Sequence, residues 1–81
     1  MTQNQADILQ QELKVELSKR FRDISVGFNI FEKKNLLVIH LFWNRISNEH
    51  WNNSKRFNCP IKEYPLFLEK EIMPFMEKQA E

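Results

Sequence analysis

Glycine is almost missing from this chain. Gly27 is the single one in 81 residues, which excludes the Gly-rich loops that cradle phosphates, because those need several backbone positions without a Cβ. Cysteine is equally scarce. Cys59 stands alone, so no intramolecular disulfide can form and no thiolate zinc cluster exists. The two histidines, His40 and His50, have no Cys or His companions at metal-ligand spacing, and no cofactor is expected. Neither sign of charge dominates, with 12 Lys and Arg against 11 Asp and Glu. No global field therefore draws the chain toward nucleic acid or an anionic membrane. The longest apolar run, Leu36 to Trp43, is interrupted by His40 and falls far short of the roughly 20 residues of a membrane span. No membrane association is expected. The opening Thr2-Gln3-Asn4-Gln5 lacks a basic segment followed by an apolar one, so no secretory leader is expected. The corresponding location is cytoplasmic, with Cys59 reduced.

What is present is the composition of a globular domain: 42% hydrophobic, 28% charged and 12% aromatic. That is too apolar for disorder. Residues 1–81 suit one small domain. A chain of this size buries only about 60–65% of the surface its unfolded form exposes, and small domains commonly add a disulfide, a metal or a second subunit. With the first two absent, a homodimer or a complex with a protein partner is expected.

The stretch from Ile24 to Trp43 organises the rest. Ile24, Val26, Phe28 and Ile30 alternate with Ser25, Gly27, Asn29 and Phe31, the period of a strand with one buried face. Glu32-Lys33-Lys34-Asn35 then forms a polar interruption, and Leu36 to Trp43 follows as a run rich in β-formers. An antiparallel hairpin results. A four-residue loop pairs Phe31 with Leu36, Ile30 with Leu37, Phe28 with Ile39, Val26 with Leu41 and Ile24 with Trp43. The last four pairs share the core face. The opposite face carries Leu36, Val38, His40 and Phe42 from the second strand. A strand apolar on both faces is usually covered on both. The ordinary cover is a second helix of the same chain; the alternative is a partner.

Before the hairpin, Leu9, Leu13, Leu17 and Phe21 recur every four residues and predict a helix over residues 5–22, capped by Asn4 or Asp7. Ile8 and Val15 lie off that stripe and read as its widening, with a small second contact as the alternative. After the hairpin, residues 44–56 are polar with isolated aromatics. Ser47 is placed to cap a short helix reaching about Asn53. Phe57, Cys59 and Ile61 alternate and predict a short third strand, which Pro60 confines to an edge. Tyr64-Pro65 opens a final helix. Pro74 lies inside it and removes a backbone hydrogen bond, so a kink near Lys70 or a restart at Pro74 is expected. The fold class is α+β, with an N-terminal helix, an antiparallel hairpin with a third strand, and a Pro-interrupted C-terminal helix.

No motif names a reaction. His40 interrupts an apolar strand opposite Gly27, but no other titratable residue is placed beside it. Glu49-His50-Trp51 lacks a nucleophile or metal to complete a catalytic set. Cys59, between apolar neighbours, reads as a buried small residue rather than a thiol nucleophile. The chain is therefore not expected to be an enzyme. Surplus apolar surface points instead to a protein-binding module: an adaptor, an inhibitor or a small regulatory subunit. Leu36, Val38, His40 and Phe42 on the hairpin, with Phe67, Phe75 and Met76 on the last helix, are its expected contacts. The alternative is a nucleic-acid-binding accessory protein using the basic and aromatic stretch 45–57. There Arg45, His50, Lys55 and Arg56 would meet phosphates and Trp51 would stack on bases.

Overall fold

The computed structural model describes residues 1–21, 23–44 and 53–80. Its elements run in the order helix, three strands, helix. Helix α1 spans Gln3–Ser18. Strand β1 is Asp23–Phe31, β2 is Leu36–Asn44 and β3 is Asn53–Pro60. Helix α2 (Tyr64–Phe67) passes through a π-helical turn, Leu68–Ile72, into α3 (Met73–Ala80). The strands form one antiparallel sheet in the order β1-β2-β3.

The hairpin register is the one that the alternation predicts. Ile24 pairs with Trp43, Val26 with Leu41, Phe28 with Ile39, Ile30 with Leu37 and Phe31 with Leu36. The loop Glu32 to Asn35 closes as a 3₁₀ turn. Asn35 ends it in the left-handed region, at φ 49°. Asn tolerates that conformation because its short side chain adds little crowding. A one-residue slip would have put Phe28 and the rest of its strand's apolar set on the face opposite Ile39 and Leu41.

Strand β3 extends the sheet beside β2, setting Phe57 opposite Ile39 and Cys59 opposite Leu37. It is an edge strand, as Pro60 requires, and it is longer than its alternating residues suggest. Asn53, expected at the end of a short helix, instead opens this strand opposite Trp43. The remainder of that expected helix lies outside the described residues.

Both helical segments pack on one face of the sheet. A single cluster joins Ala6, Leu13, Leu17 and Phe21 to the inward residues of all three strands and to Tyr64, Ile72 and Met76. Aromatic edges fasten these layers. Trp43 meets Phe21 at 6.3 Å and Phe75 at 6.0 Å, while Phe57 meets Phe67 at 5.9 Å and Phe75 at 5.6 Å. These separations suit edge-to-face contacts, in which a ring's positive rim approaches a negative face. Nε1 of Trp43 is a buried donor without a partner among the described residues.

Three expectations about the helices need correction. The N-cap is Thr2, not Asn4 or Asp7: its side chain accepts from Gln5 N–H at 3.2 Å, and Gln5 Oε1 accepts in return from Thr2 N–H at 2.9 Å. This reciprocal box satisfies two end groups at once. The helix also ends at Ser18, short of Arg22. Ile8 and Val15 do not widen the core stripe; they are 59% and 53% exposed. The last helix is irregular near Lys70, one of the two places expected, and it runs on through Pro74. The π turn centred on Lys70 carries the chain through, with Met73 N–H bonded to the carbonyl of Leu68 five residues back. The wider turn relieves the clash that a proline ring makes with the carbonyl four residues earlier.

The central strand's interior side chains carry the core: Leu37, Ile39 and Leu41 are fully buried. Ile39→Ala is expected to cost about 2–5 kcal/mol, and Val15→Ser no more than ~0.5 kcal/mol. Urea denaturation of both variants checks the contrast.

Candidate functional site

The side of the sheet away from the helices is the candidate surface. It is built from outward residues of three strands. β1 contributes Ser25, Gly27, Asn29 and Phe31; β2 contributes Leu36, Val38, His40 and Phe42; β3 contributes Ser54, Arg56 and Asn58. The expectation that a second helix of the chain covers this face fails among the described residues. Both helices are committed to the other face, and Phe31 is 47% exposed.

The apolar line along β2 runs down the middle of the face. Val38 is itself buried, flanked across the sheet by Asn29 and Asn58. Leu36, His40 and Phe42 are half-buried. The His40 and Phe42 rings sit 5.7 Å apart in a tilted arrangement. His40 is opposite Gly27 on one side and Arg56 on the other. A Cβ built on Gly27 would meet nothing within 4 Å, so the glycine leaves a shallow gap beside the imidazole. Arg56 and His40 are the ionisable groups at the centre of the face, and no carboxylate lies among its central residues.

The other expected contacts are elsewhere. Phe67 and Phe75 lie against Phe57 on the helix side of the sheet, half-buried. Met76 is fully buried in the core. The surplus apolar character of the last helix is thus largely used against β3, and these three side chains do not join Leu36, Val38, His40 and Phe42 on one surface.

The basic and aromatic stretch divides as well. Arg45, His50 and Trp51 lie outside the described residues. Lys55 and Arg56 are adjacent on β3 and point to opposite faces, as strand geometry demands. Lys55 Nζ lies 5.7 Å from the Phe57 ring centre and 5.6 Å from that of Phe75, on the helix side. Such contacts attract a cation to the negative face of a ring.

Nothing in the described residues assembles a catalytic set. No group of three His, Cys, Asp or Glu side chains is placed to hold a metal. No helix there is long and apolar enough to cross a membrane. Cys59 is buried, and burial pushes its thiol above the ordinary range, with the Glu63 carboxylate adding to the effect. Burial likewise raises the Tyr64 hydroxyl, helped by Cys59 and then by Glu12. Raised values keep both groups neutral, the opposite of what an activated nucleophile needs.

The helix side also carries a shallow apolar depression. Met1, Ile8, Leu9, Ile61 and Pro65 line it, and the sequence pattern pointed to it only through the off-stripe position of Ile8. Comparison with protein-family models, with curated proteins and with solved structures finds no match to this chain.

The two raised groups set a pH dependence. An acid that is harder to ionise in the folded state leaves stability intact below its unfolded value and removes it as pH rises toward the folded one. Stability is therefore expected to fall from about pH 9 upward, with Cys59→Ala making the decline shallower. The native thiol should also resist alkylation at pH 8 and react on unfolding. Denaturation midpoints between pH 7 and 11, with thiol labelling in parallel, check both.

Proposed function

We propose that this chain is a non-enzymatic protein-binding module, an adaptor, inhibitor or small regulatory subunit, that docks through the open face of its sheet. One observation carries the reading: the central strand is apolar on both faces, and the chain's described helices cover only one. Leu36, His40 and Phe42 supply half-exposed apolar and aromatic contacts around a buried Val38, a centre surrounded by the polar rim of Ser25, Asn29, Ser54 and Asn58. Interfaces commonly have this apolar core and polar rim.

The size of the face sets the kind of complex. Three strands about 4.8 Å apart and eight residues long present roughly 14 by 26 Å. That is about half of the ~800 Å² per partner found in stable complexes. Docking on the face alone therefore suits a transient encounter, and tighter binding needs a contribution beyond it. A homodimer through this face would bring together two surfaces that each carry Arg56 and no central carboxylate, which disfavours it electrostatically.

Phe42→Asp is expected to abolish association with the partner while leaving helix content and the hairpin register unchanged. Capture of the tagged chain from its native extract, followed by circular dichroism of the variant, checks this. Equal capture by the parent and Phe42→Asp proteins sinks the face-docking reading.

A second reading, nucleic-acid binding, draws support from Arg56, His40 and Phe42 sharing one face without a nearby carboxylate. Stacking on the rings and neutralisation of a phosphate would then combine. On that reading, reversing charge at both Lys55 and Arg56 weakens oligonucleotide binding by about tenfold or more at low salt, and added salt weakens the parent similarly. Fluorescence anisotropy with a single-stranded probe decides it; no affinity at low ionic strength removes this reading.

A further inference from the structure

The two edges of the sheet differ. On the β1 edge, α1 supplies a partner for the outward backbone: Gln10 Oε1 accepts from Phe28 N–H at 2.9 Å. That bond also fixes the hydrogen-bonding alternation. Phe28 N–H turns away from β2, so the Phe28–Ile39 pair is non-hydrogen-bonded. Ile39 then turns toward β3 and pairs with Phe57 through hydrogen bonds. The even residues of β3, Ser54, Arg56 and Asn58, consequently direct their N–H and C=O groups outward. None of these backbone groups has a backbone partner among the described residues.

A second copy is a poor occupant for this edge. Two-fold antiparallel pairing must match residues of equal parity to keep one continuous face. A register centred on Lys55 sets Lys55 against Lys55, and one centred on Arg56 sets Arg56 against Arg56. Centring on Phe57 brings Ser54 opposite Pro60, which has no N–H to donate, and leaves the two Arg56 side chains as diagonal neighbours. Like charges directly across a strand pair are destabilising, and edge lysines commonly block self-association for this reason.

The same pair of cations favours a different occupant. Lys55 rises on the helix side and Arg56 on the open side, so an added strand meets a positive charge on each face at consecutive positions. β3 has no carboxylate of its own. We propose that the β3 edge accepts an extended acidic segment of another protein as a fourth strand, with adjacent carboxylates that pair with Lys55 and Arg56. This rests on the protein-binding reading above and supplies what the open face lacks, since a fourth strand widens that face and adds backbone hydrogen bonds.

The test uses the full chain, labelled with ¹⁵N, and a blocked octapeptide with a central Glu-Asp pair flanked by valines and threonines. A control peptide carries Lys-Lys at the centre. The acidic peptide is expected to shift the amides of Ser54, Arg56 and Asn58 and slow their hydrogen exchange. At low salt it should bind about tenfold more tightly than the control, the combined effect of two exposed ion pairs, and this preference should shrink as salt screens the charges. Lys55→Glu with Arg56→Glu should reverse it. Unperturbed edge amides, or equal binding of the two peptides, overturn the proposal. Shifts confined to Leu36, Val38 and Phe42 also overturn it while leaving face docking intact. Phe42→Asp, which should bind the acidic peptide as the parent does, separates the two: edge binding with undiminished capture of the native partner by this variant defeats face docking alone.

Discussion

The structure depends on the pairing of β2 with a neighbour on each side. Leu37, Ile39 and Leu41 are fully buried because β1 and β3 flank them and both helical segments lie over them. An isolated two-stranded hairpin is marginal in water. The third strand converts that hairpin into a sheet wide enough for α1 and the C-terminal helical segment to share. Phe57 is the joint. It pairs with Ile39 within the sheet and packs against Phe67 and Phe75 above it. Trp43 plays the matching part nearer α1, between Phe21 and Phe75. The aromatic edges thus tie the sheet to both helices, where the exposed ion pairs Glu16–Lys19 and Arg20–Glu77 add little.

Much of this was legible in the residues. The alternation from Ile24 to Ile30 and the polar break at 32–35 leave one register that keeps the apolar set together, and the structure adopts it. Pro60 marks an edge because it has no N–H to offer a further strand. Leu13 and Leu17 face the core for the usual helical reason, and Phe21 is buried just beyond the helix end. Ala6, seven residues before Leu13, belongs to the same face and is fully buried, but a small side chain gives a weak hydrophobic signal. Asn4 and Asp7 compete with the true cap in the sequence because each is a good cap individually. Only the reciprocal Thr2–Gln5 spacing distinguishes the true one.

The surplus on the last helix was harder to place. Counting apolar residues around its axis suggests a face left over for a partner. That count does not know that β3 lies alongside with Phe57 and the stem of Lys55, nor that a π turn shifts the angular positions of the residues after it. Phe67, Phe75 and Met76 are absorbed by these neighbours. The reverse holds for β2. Its outward residues look buried by hydropathy, yet both described helical segments lie on the other face, and no described element covers them. The same apolar residue types therefore have different fates, decided by how many layers the chain can build.

That accounting gives the open face its meaning. A single apolar residue on a surface needs no explanation. A central strand with Leu36, Val38 and Phe42 in line on the face away from the helices is different. Val38 is already buried, so it contributes to the sheet's own stability. Leu36 and Phe42 remain half-exposed. Gly27 leaves the neighbouring ground low, although a side chain there would meet nothing and a β-branched one would strengthen the strand. In the proposed docking, this arrangement would favour close approach from outside over maximal stability of the isolated chain. The unequal edges fit the same reading: on the β1 edge Phe28 N–H donates to Gln10 Oε1, whereas β3 presents Lys55 and Arg56. Charges of one sign repel a second copy of the strand and attract an acidic one, so in the proposed docking the feature that disfavours self-pairing would also select the partner strand.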